Sequence, residues 1–297
     1  MLKECIALHS YKGGTGKSTI ASNISALLTF RGNNVLLIDM DVYAPTLQTY
    51  FDKDPEKWIN DFLFNASDFD QVIYNVDSVF DQFISSQSGN STQRGKFYVS
   101  FSNSSKNEIT KLDNALRDEV SKIELLRNFI KIKEMASKKD IDYIILDTST
   151  GIRYWSINSL AIADVILLSL KMDGIDVECT GRMVTEIYDV FTNLGTKSFL
   201  LLNRIAGFCH APPHDAVKFQ TDYNNLNKLF YEQSERITRL RKELNMEIIS
   251  SIPCYCDIQF DSREFLTVLK NPTHEFSLEM NKLADKIESM KFSTGIE

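Results

Sequence analysis

A short apolar stretch, Ile6-Ala7-Leu8, runs through Ser10-Tyr11-Lys12-Gly13-Gly14-Thr15-Gly16-Lys17-Ser18-Thr19 straight into a helical pattern. Elsewhere the chain is sparing with glycine, having 12 in 297 residues, roughly 4% against an average of about 7%. Three of those twelve, Gly13, Gly14 and Gly16, stand within four positions. A turn that concentrates glycine in this way needs backbone conformations, or close approaches, that other residues deny. After it, Ile20, Ile24, Leu27 and Leu28 fall on one face of a helix, and Gly32 ends that helix.

A buried strand, a glycine-rich turn and a helix in immediate succession have a specific chemical use. Small residues let backbone N–H groups close on phosphate oxygens, and the helix N-terminus adds its positive dipole end. Gly13, Gly14, Thr15 and Gly16 are then the cradle of a triphosphate, with Thr19 in the first helical turn behind them. Lys17 neutralises the β- and γ-phosphates, and the Ser18 hydroxyl ligates Mg²⁺.

Further continuous apolar runs lie at Val35–Ile38, Phe97–Phe101, Tyr143–Leu146, Val165–Leu170, Phe199–Leu202 and Ile248–Ile252. Helical segments separate them; one carries Val184, Ile187, Tyr188, Phe191 and Leu194 on a single face and stops at Gly195. Such alternation predicts an α/β fold, doubly wound, with a mostly parallel sheet and helices on both faces. It reads as one domain over 1–297 with an elaborated segment at about 52–110, polar, aromatic-rich and irregular, in which Ser85–Gly95 is a surface loop. Residues 107–138 read as a long charged helix or a helix pair. In sheets of this kind ligands bind at the carboxyl ends of the strands.

Charge and composition exclude several classes. A net charge of −7, from 33 basic and 40 acidic residues, speaks against a strongly basic nucleic-acid binder. No apolar run approaches the roughly 18 residues of a membrane-spanning helix. The segment from Met1 to His9 lacks the pattern of a signal peptide. Five cysteines fit no disulfide framework, so a reducing cytoplasm is the expected location.

The general phosphate-loop pattern places its first glycine where Tyr11 stands. The chain carries instead Lys12-Gly-Gly-Thr-Gly-Lys-Ser, the deviant form KGGxGK[ST], and so resembles the ParA/MinD family of P-loop ATPases. The resemblance extends over most of the chain and is weakest at 52–110. It implies ATP and Mg²⁺ as cofactors, slow hydrolysis used as a switch, and an ATP-dependent homodimer in which Lys12 reaches the partner's nucleotide. It also implies a partner protein that stimulates hydrolysis, and DNA or another cargo that is positioned. From the family's first switch loop, Asp41 orients the attacking water and Asp39 supports the Mg²⁺ shell; the alternative is that these carboxylates cap the short helix after Pro45. Asp147 closes an apolar strand as the second metal-side carboxylate, and Asp147-Thr148-Ser149-Thr150-Gly151 resembles the D-x-P-x-G switch loop without its proline. Asn203, followed by Arg204, stands where the family recognises adenine, and Pro253 where backbone lines the base.

Asp41-Val42-Tyr43-Ala44-Pro45-Thr46 looks most like the Mrp branch of iron–sulfur carriers, which gives an alternative function, a metal or iron–sulfur carrier ATPase. Cys209, His210, His214, Cys254 and Cys256 fall in two loops expected at one sheet edge, a set that could hold zinc or a cluster. The CPxC pair of those carriers is absent, and reduced thiols with surface imidazoles are the other reading. Arg236, Arg239, Arg241 and Lys242 form the best basic patch for non-specific DNA, or else one solvated helix face. A final helix over 275–291 lacks the basic excess of a membrane-surface helix and is expected to pack on the sheet.

Overall fold

Four strands are buried along their whole length: β1 (Glu4–His9), β2 (Val35–Met40), and, further on, β5 (Tyr143–Thr148) and β6 (Val165–Leu170). A strand covered on both faces cannot alternate polar and apolar side chains, which is why these segments are continuous apolar runs. The computed structural model describes residues 2–81, 94–193, 195–205, 232, 234–255, 257–258 and 266–290. Its sheet has eight strands in the order β3-β4-β2-β5-β1-β6-β7-β8, where β3 is Tyr74–Asn75, β4 Phe97–Ser100, β7 Lys197–Ile205 and β8 Glu247–Pro253. Every pairing is parallel except β3 with β4.

The helices are α1 (Lys17–Phe30), α2 (Leu47–Phe51), α3 (Ile59–Leu63), α4 (Lys106–Ala115), α5 (Glu119–Lys138), α6 (Tyr154–Ala161), α7 (Gly174–Met183), α8 (Asp189–Asn193), α9 (234–244), α10 (Thr267–Lys270) and α11 (Glu275–Ser289). On one face of the sheet Leu36, Ile38, Ile144 and Leu146 pack with Phe129 and Trp155. On the other, Ile20, Ile24 and Leu28 of α1 pack with Leu37, Ile145 and the α11 residues Met280 and Leu283.

Three local expectations are refined. The charged stretch after residue 105 is two helices, each with a side-chain cap: Ser105 Oγ accepts from Glu108 N, and the Asp118 carboxylate from Ser121 N. The apolar face around residue 184 belongs to a helix that begins at Gly174, where Asp173 accepts from Asp176 N, and runs through a π-helical turn at Val184–Tyr188 into α8. Within the described residues, the segment expected to be irregular carries α3, the antiparallel edge strand β3 and β4, fastened by buried Phe62, Phe69, Phe80, Phe97 and Phe101.

As expected, α11 packs inward, burying Phe276, Met280, Leu283 and Ile287. Arg31, at the end of α1, ties it down through Asp285 (2.8 Å), Glu288 (2.6 Å) and the Asn281 side chain (2.9 Å). Among the described residues no helix is long and apolar enough to cross a membrane.

At the amino end of the sheet, Asp164 accepts from Cys5 N (2.8 Å) and pairs with Lys133 (2.6 Å). Glu4 is buried beside it, and burial, then the Asp164 charge, push its carboxyl up from 4.5 to about 7. A carboxyl that ionises later in the folded than in the unfolded state costs stability as pH rises between those two values. Glu4→Gln is therefore expected to melt roughly 2–4 °C above the parent at about pH 8. The gain should vanish near about pH 4, where both forms are neutral, as thermal melts at the two pH values would show.

Candidate nucleotide-binding site

The loop between β1 and α1 closes because two glycines take left-handed backbone, Gly14 at φ 73° and Gly16 at φ 87°. Gly16 is also the residue from which α1 starts. A Cβ on Gly16 would lie 2.3 Å from Asn203 Nδ2, so the loop is packed as well as turned there. Asn203 Nδ2 donates to the Thr15 carbonyl (2.7 Å), and Ser169 Oγ donates to the same oxygen (3.1 Å). The loop thus hangs from the ends of β6 and β7. In front of it, Lys17 Nζ donates to Ser10 Oγ (2.9 Å), which donates to the Lys12 carbonyl (2.6 Å). Lys17 is buried; burial lowers its pKa, against the opposing pull of Asp147, Asp41 and Asp176.

Two carboxylates meet at the strand ends. Asp39 and Asp147 are register partners on β2 and β5, and both are buried. Burial and the Asp147 charge hold the Asp39 carboxyl well above its ordinary range. Burial raises Asp147 to about 6, with Lys17 and a hydrogen bond from Ser18 acting against the shift. Asp147 Oδ1 is buried without a protein partner. A serine hydroxyl beside an unpartnered, buried carboxylate oxygen is a donor set that suits Mg²⁺, which takes one or two protein oxygens and leaves its other positions to phosphates and water.

The Asp39 carboxylate, expected to support the Mg²⁺ shell, is met by backbone donors. Its Oδ1 accepts from Asp41 N (2.9 Å), and its Oδ2 from Thr46 N (3.0 Å) and Leu47 N (3.1 Å). Oδ1 thus fastens the loop and Oδ2 caps the start of α2, the contact that the alternative reading expects. Asp41 Oδ1 accepts from Tyr43 N (3.1 Å) and Ala44 N (3.0 Å), making a turn that presents the carboxylate on the loop.

Gly151, at φ 73°, donates its N–H to the Ser10 carbonyl (2.9 Å) and joins the Asp147–Gly151 loop to the phosphate loop. Lys12 lies on the rim, half-exposed, 3.9 Å from Asp173 Oδ1. Exposed Tyr11, Ile152 and Ile175 stand beside these groups in sequence.

Gly16, Thr19, Ile20, Asn203, Arg204, Pro253, Tyr255, Ile258 and Phe276 line one cavity at the edge of the loop. It contains the expected base-side residues Asn203, Arg204 and Pro253. The Asn203 amide is nonetheless engaged at both ends, since its Oδ1 accepts from Arg204 N (2.9 Å). In this arrangement it is a strut under the loop in addition to a wall of the cavity. Arg204 takes φ 52° at a bulge between β7 and β8, a conformation unusual for a residue with a Cβ.

Sequence reasoning missed Tyr255, Ile258 and Phe276, and it missed His9. His9 is fully buried at the end of β1, its Nδ1 2.8 Å from Thr148 Oγ1, which itself donates to the Leu8 carbonyl. Burial, with Lys17 nearby, lowers its pKa to about 3, so the ring is a neutral wedge between the two loops. A histidine next to a glycine-rich turn was the available signal.

Of the second-metal candidates, Cys209, His210, His214 and Cys256 lie outside the described residues. Cys254 is half-buried, its N–H donating to the Ile205 carbonyl (2.9 Å). Among the described residues no group of three or more His, Cys, Asp or Glu side chains is arranged to hold a metal ion. Arg236, Arg239, Arg241 and Lys242 are exposed on α9, whose Leu240 is buried.

The AAA domain family AAA_31 matches residues 3–199. The chain belongs to it, as a P-loop ATPase of the ParA/MinD type. The fold of this ParA/MinD-type chain is similar to that of the septum site-determining protein MinD with Mg-ADP from Pyrococcus horikoshii (TM-score 0.68, 18% identity, 97% of both chains). It is also similar to a plasmid partition protein of Borrelia burgdorferi bound to AMPPNP (TM-score 0.62, 21% identity, 97% of this chain and 99% of that one). An uncharacterised protein of Methanocaldococcus jannaschii is 23% identical over 96% of this chain and 99% of its own. An iron–sulfur cluster carrier protein of Aquifex aeolicus is 48% identical, but over 50 residues that make up 17% of this chain and 14% of the carrier.

Gly16→Ala adds a Cβ both at a left-handed φ and against the Asn203 strut. It is expected to weaken binding of a fluorescent ATP analogue by at least about tenfold. Circular dichroism should show the fold retained, and undiminished affinity would show that this contact does not shape the loop.

Proposed function

We propose that this chain is an ATP-binding molecular switch that hydrolyses ATP slowly and, when loaded with ATP, pairs with a second copy to position DNA or another cargo. The observation that carries the reading is the meeting of buried Lys17, the Ser18–Asp147 pair and Asp41 at adjoining strand ends. Backbone N–H groups of Gly13, Gly14, Thr15 and Gly16 receive the phosphate oxygens, and Lys17 neutralises the β- and γ-phosphates. Ser18 and Asp147 would hold Mg²⁺, which when bound supplies positive charge to the same oxygens. Asp41 accepts a hydrogen bond from the attacking water, whose oxygen bonds to the γ-phosphorus as the bridge to the β-phosphate breaks and ADP leaves. Thr19, Asn203, Arg204 and Pro253 serve the nucleoside end of the cavity.

Pairing is supported by the rim. A second cation has little to do for phosphates already faced by Lys17, whereas Lys12 projects half-exposed beside exposed Tyr11, Ile152 and Ile175. A second copy would cover that apolar surface and bring Lys12 to the neighbouring nucleotide, in the manner of an arginine finger. A protein that stimulates hydrolysis fits such a switch; MinD of Aquifex aeolicus, similar in fold, is known as a MinC:MinD complex. The fold likeness to plasmid partition proteins and the exposed basic residues of α9 favour DNA as the cargo, and the cytoplasm as the place. A metal or iron–sulfur carrier is the second reading, favoured by the short match to the Aquifex carrier and needing Cys209, His214, Cys254 and Cys256 as ligands. Metal analysis after anaerobic purification separates the two, since substoichiometric zinc and iron would sink the carrier.

The switch is tested by two substitutions. Asp41→Ala should lower single-turnover hydrolysis by about 100-fold or more while ATP still shifts the protein to a dimer on sizing. Lys12→Ala should weaken that shift. A monomer in every condition would refute the pairing, and full hydrolysis by Asp41→Ala would refute the role of that carboxylate.

A further inference from the structure

We infer that Tyr43 and Arg153 form a latch between the two loops that flank the phosphate site, and that the latch positions Asp41. The inference rests on the proposed role of Asp41 but names residues to which that role assigns nothing. The Arg153 guanidinium lies over the Tyr43 ring, 4.1 Å from its centroid. Tyr43 is the second residue after Asp41 and donates its N–H to Asp41 Oδ1, so the direction of that carboxylate is tied to where Tyr43 sits. Tyr43 is half-buried against the core of one sheet face, which limits its ring to few positions.

Arg153 belongs to the other loop. It follows Gly151 and Ile152 and precedes α6, where its carbonyl accepts from Ile157 N (2.9 Å). The start of α6 is itself fixed to that loop, since Ser156 Oγ lies 2.6 Å from Ser149 Oγ and Trp155 is fully buried. A displacement of the Asp147–Gly151 loop is therefore carried by Arg153 to Tyr43, and by the Tyr43 N–H to Asp41. The other anchor of the Asp41 loop, the Asp39 carboxylate, holds the N–H groups of Asp41, Thr46 and Leu47 and involves neither Tyr43 nor Arg153, so it fixes the Asp41 backbone while the latch acts on the Asp41 carboxylate. Arg153 is a positioning residue, acting on Asp41 through Tyr43.

An exposed cation–π contact is worth a small multiple of thermal energy, so the latch can open and close as the site fills and empties. Hydrogen exchange of the nucleotide-free full chain reads it directly. Arg153→Ala should speed exchange of the Tyr43 and Ala44 amides about two- to fivefold, and leave those of Thr46 and Leu47 unchanged. Arg153→Lys and Tyr43→Phe keep a cation over a ring and should restore parental exchange at Ala44. Tyr43→Ala should match Arg153→Ala at Ala44, and the double variant should add nothing further. In single-turnover hydrolysis the Ala variants should lower the rate constant several-fold with ATP affinity held. Unchanged Tyr43 and Ala44 exchange in Arg153→Ala, or multiplying effects in the double variant, would overturn the latch. If the parent hydrolysed no ATP while the exchange coupling persisted, the ATPase reading would fall and the latch would stand.

Discussion

Surplus negative charge, buried at the carboxyl ends of β2 and β5, is the constraint around which the site is organised. Asp39 and Asp147 sit side by side in low dielectric; burial raises both carboxyls, helped at Asp39 by the Asp147 charge and at Asp147 by that of Asp41. Such a pair persists only if something compensates it. The chain spends three backbone N–H groups on Asp39, which converts that carboxylate into a fastener for the 41–47 loop. Asp147 receives less: Ser18 on one side, the field of Lys17, and a second oxygen with no protein partner. The asymmetry separates a structural carboxylate from one left available to a cation, although both close apolar strands in the same way.

The back and the front of the phosphate loop obey different rules. Behind it, the Thr15 carbonyl is held by Asn203 and Ser169, and the loop has little freedom. In front, the Asp147–Gly151 loop reaches it through a single hydrogen bond and a neutral histidine, and a cation–π contact from Arg153 ties that wall to the Asp41 loop. A rigid floor with lightly held walls is the arrangement a switch needs, because the walls can respond to what sits on the floor while the floor does not move. His9 serves this division by staying uncharged: an imidazolium so close to Lys17 would push the loops apart.

Much of this was legible in the sequence wherever the cause is local. Gly14 and Gly16 are demanded by their own φ angles, the parallel strands by burial on both faces, and the start of α1 by the turn before it. The fold class followed from those facts, whereas Asp147 was expected beside Lys17 and Ser18 only from the family resemblance. What escaped has distant causes. Asn203 stands 188 positions from the carbonyl it supports, and nothing in the spacing separates an amide that reads a base from one that props a loop. The edge strand β3 is two residues long and shows no period. Phe62, Phe69 and Phe80 are buried in short, irregular elements, where apolar residues repeat at no fixed interval.

The aromatic wall of the cavity also has distant causes. Tyr255 stands between two cysteines, and thiols draw a reading toward metals. The structure gives that ring another context: it meets His274 edge-on at 5.2 Å and Phe276 at 6.3 Å. His274 caps α11 by accepting from Phe276 N (3.0 Å) and pairs with Asp257 (2.8 Å), so the loop after β8 and the start of α11 are held as one unit. Tyr255, Ile258 and Phe276 of that unit line the cavity together with Gly16 and Thr19. The far end of the chain thus returns to complete a site begun by the first strand.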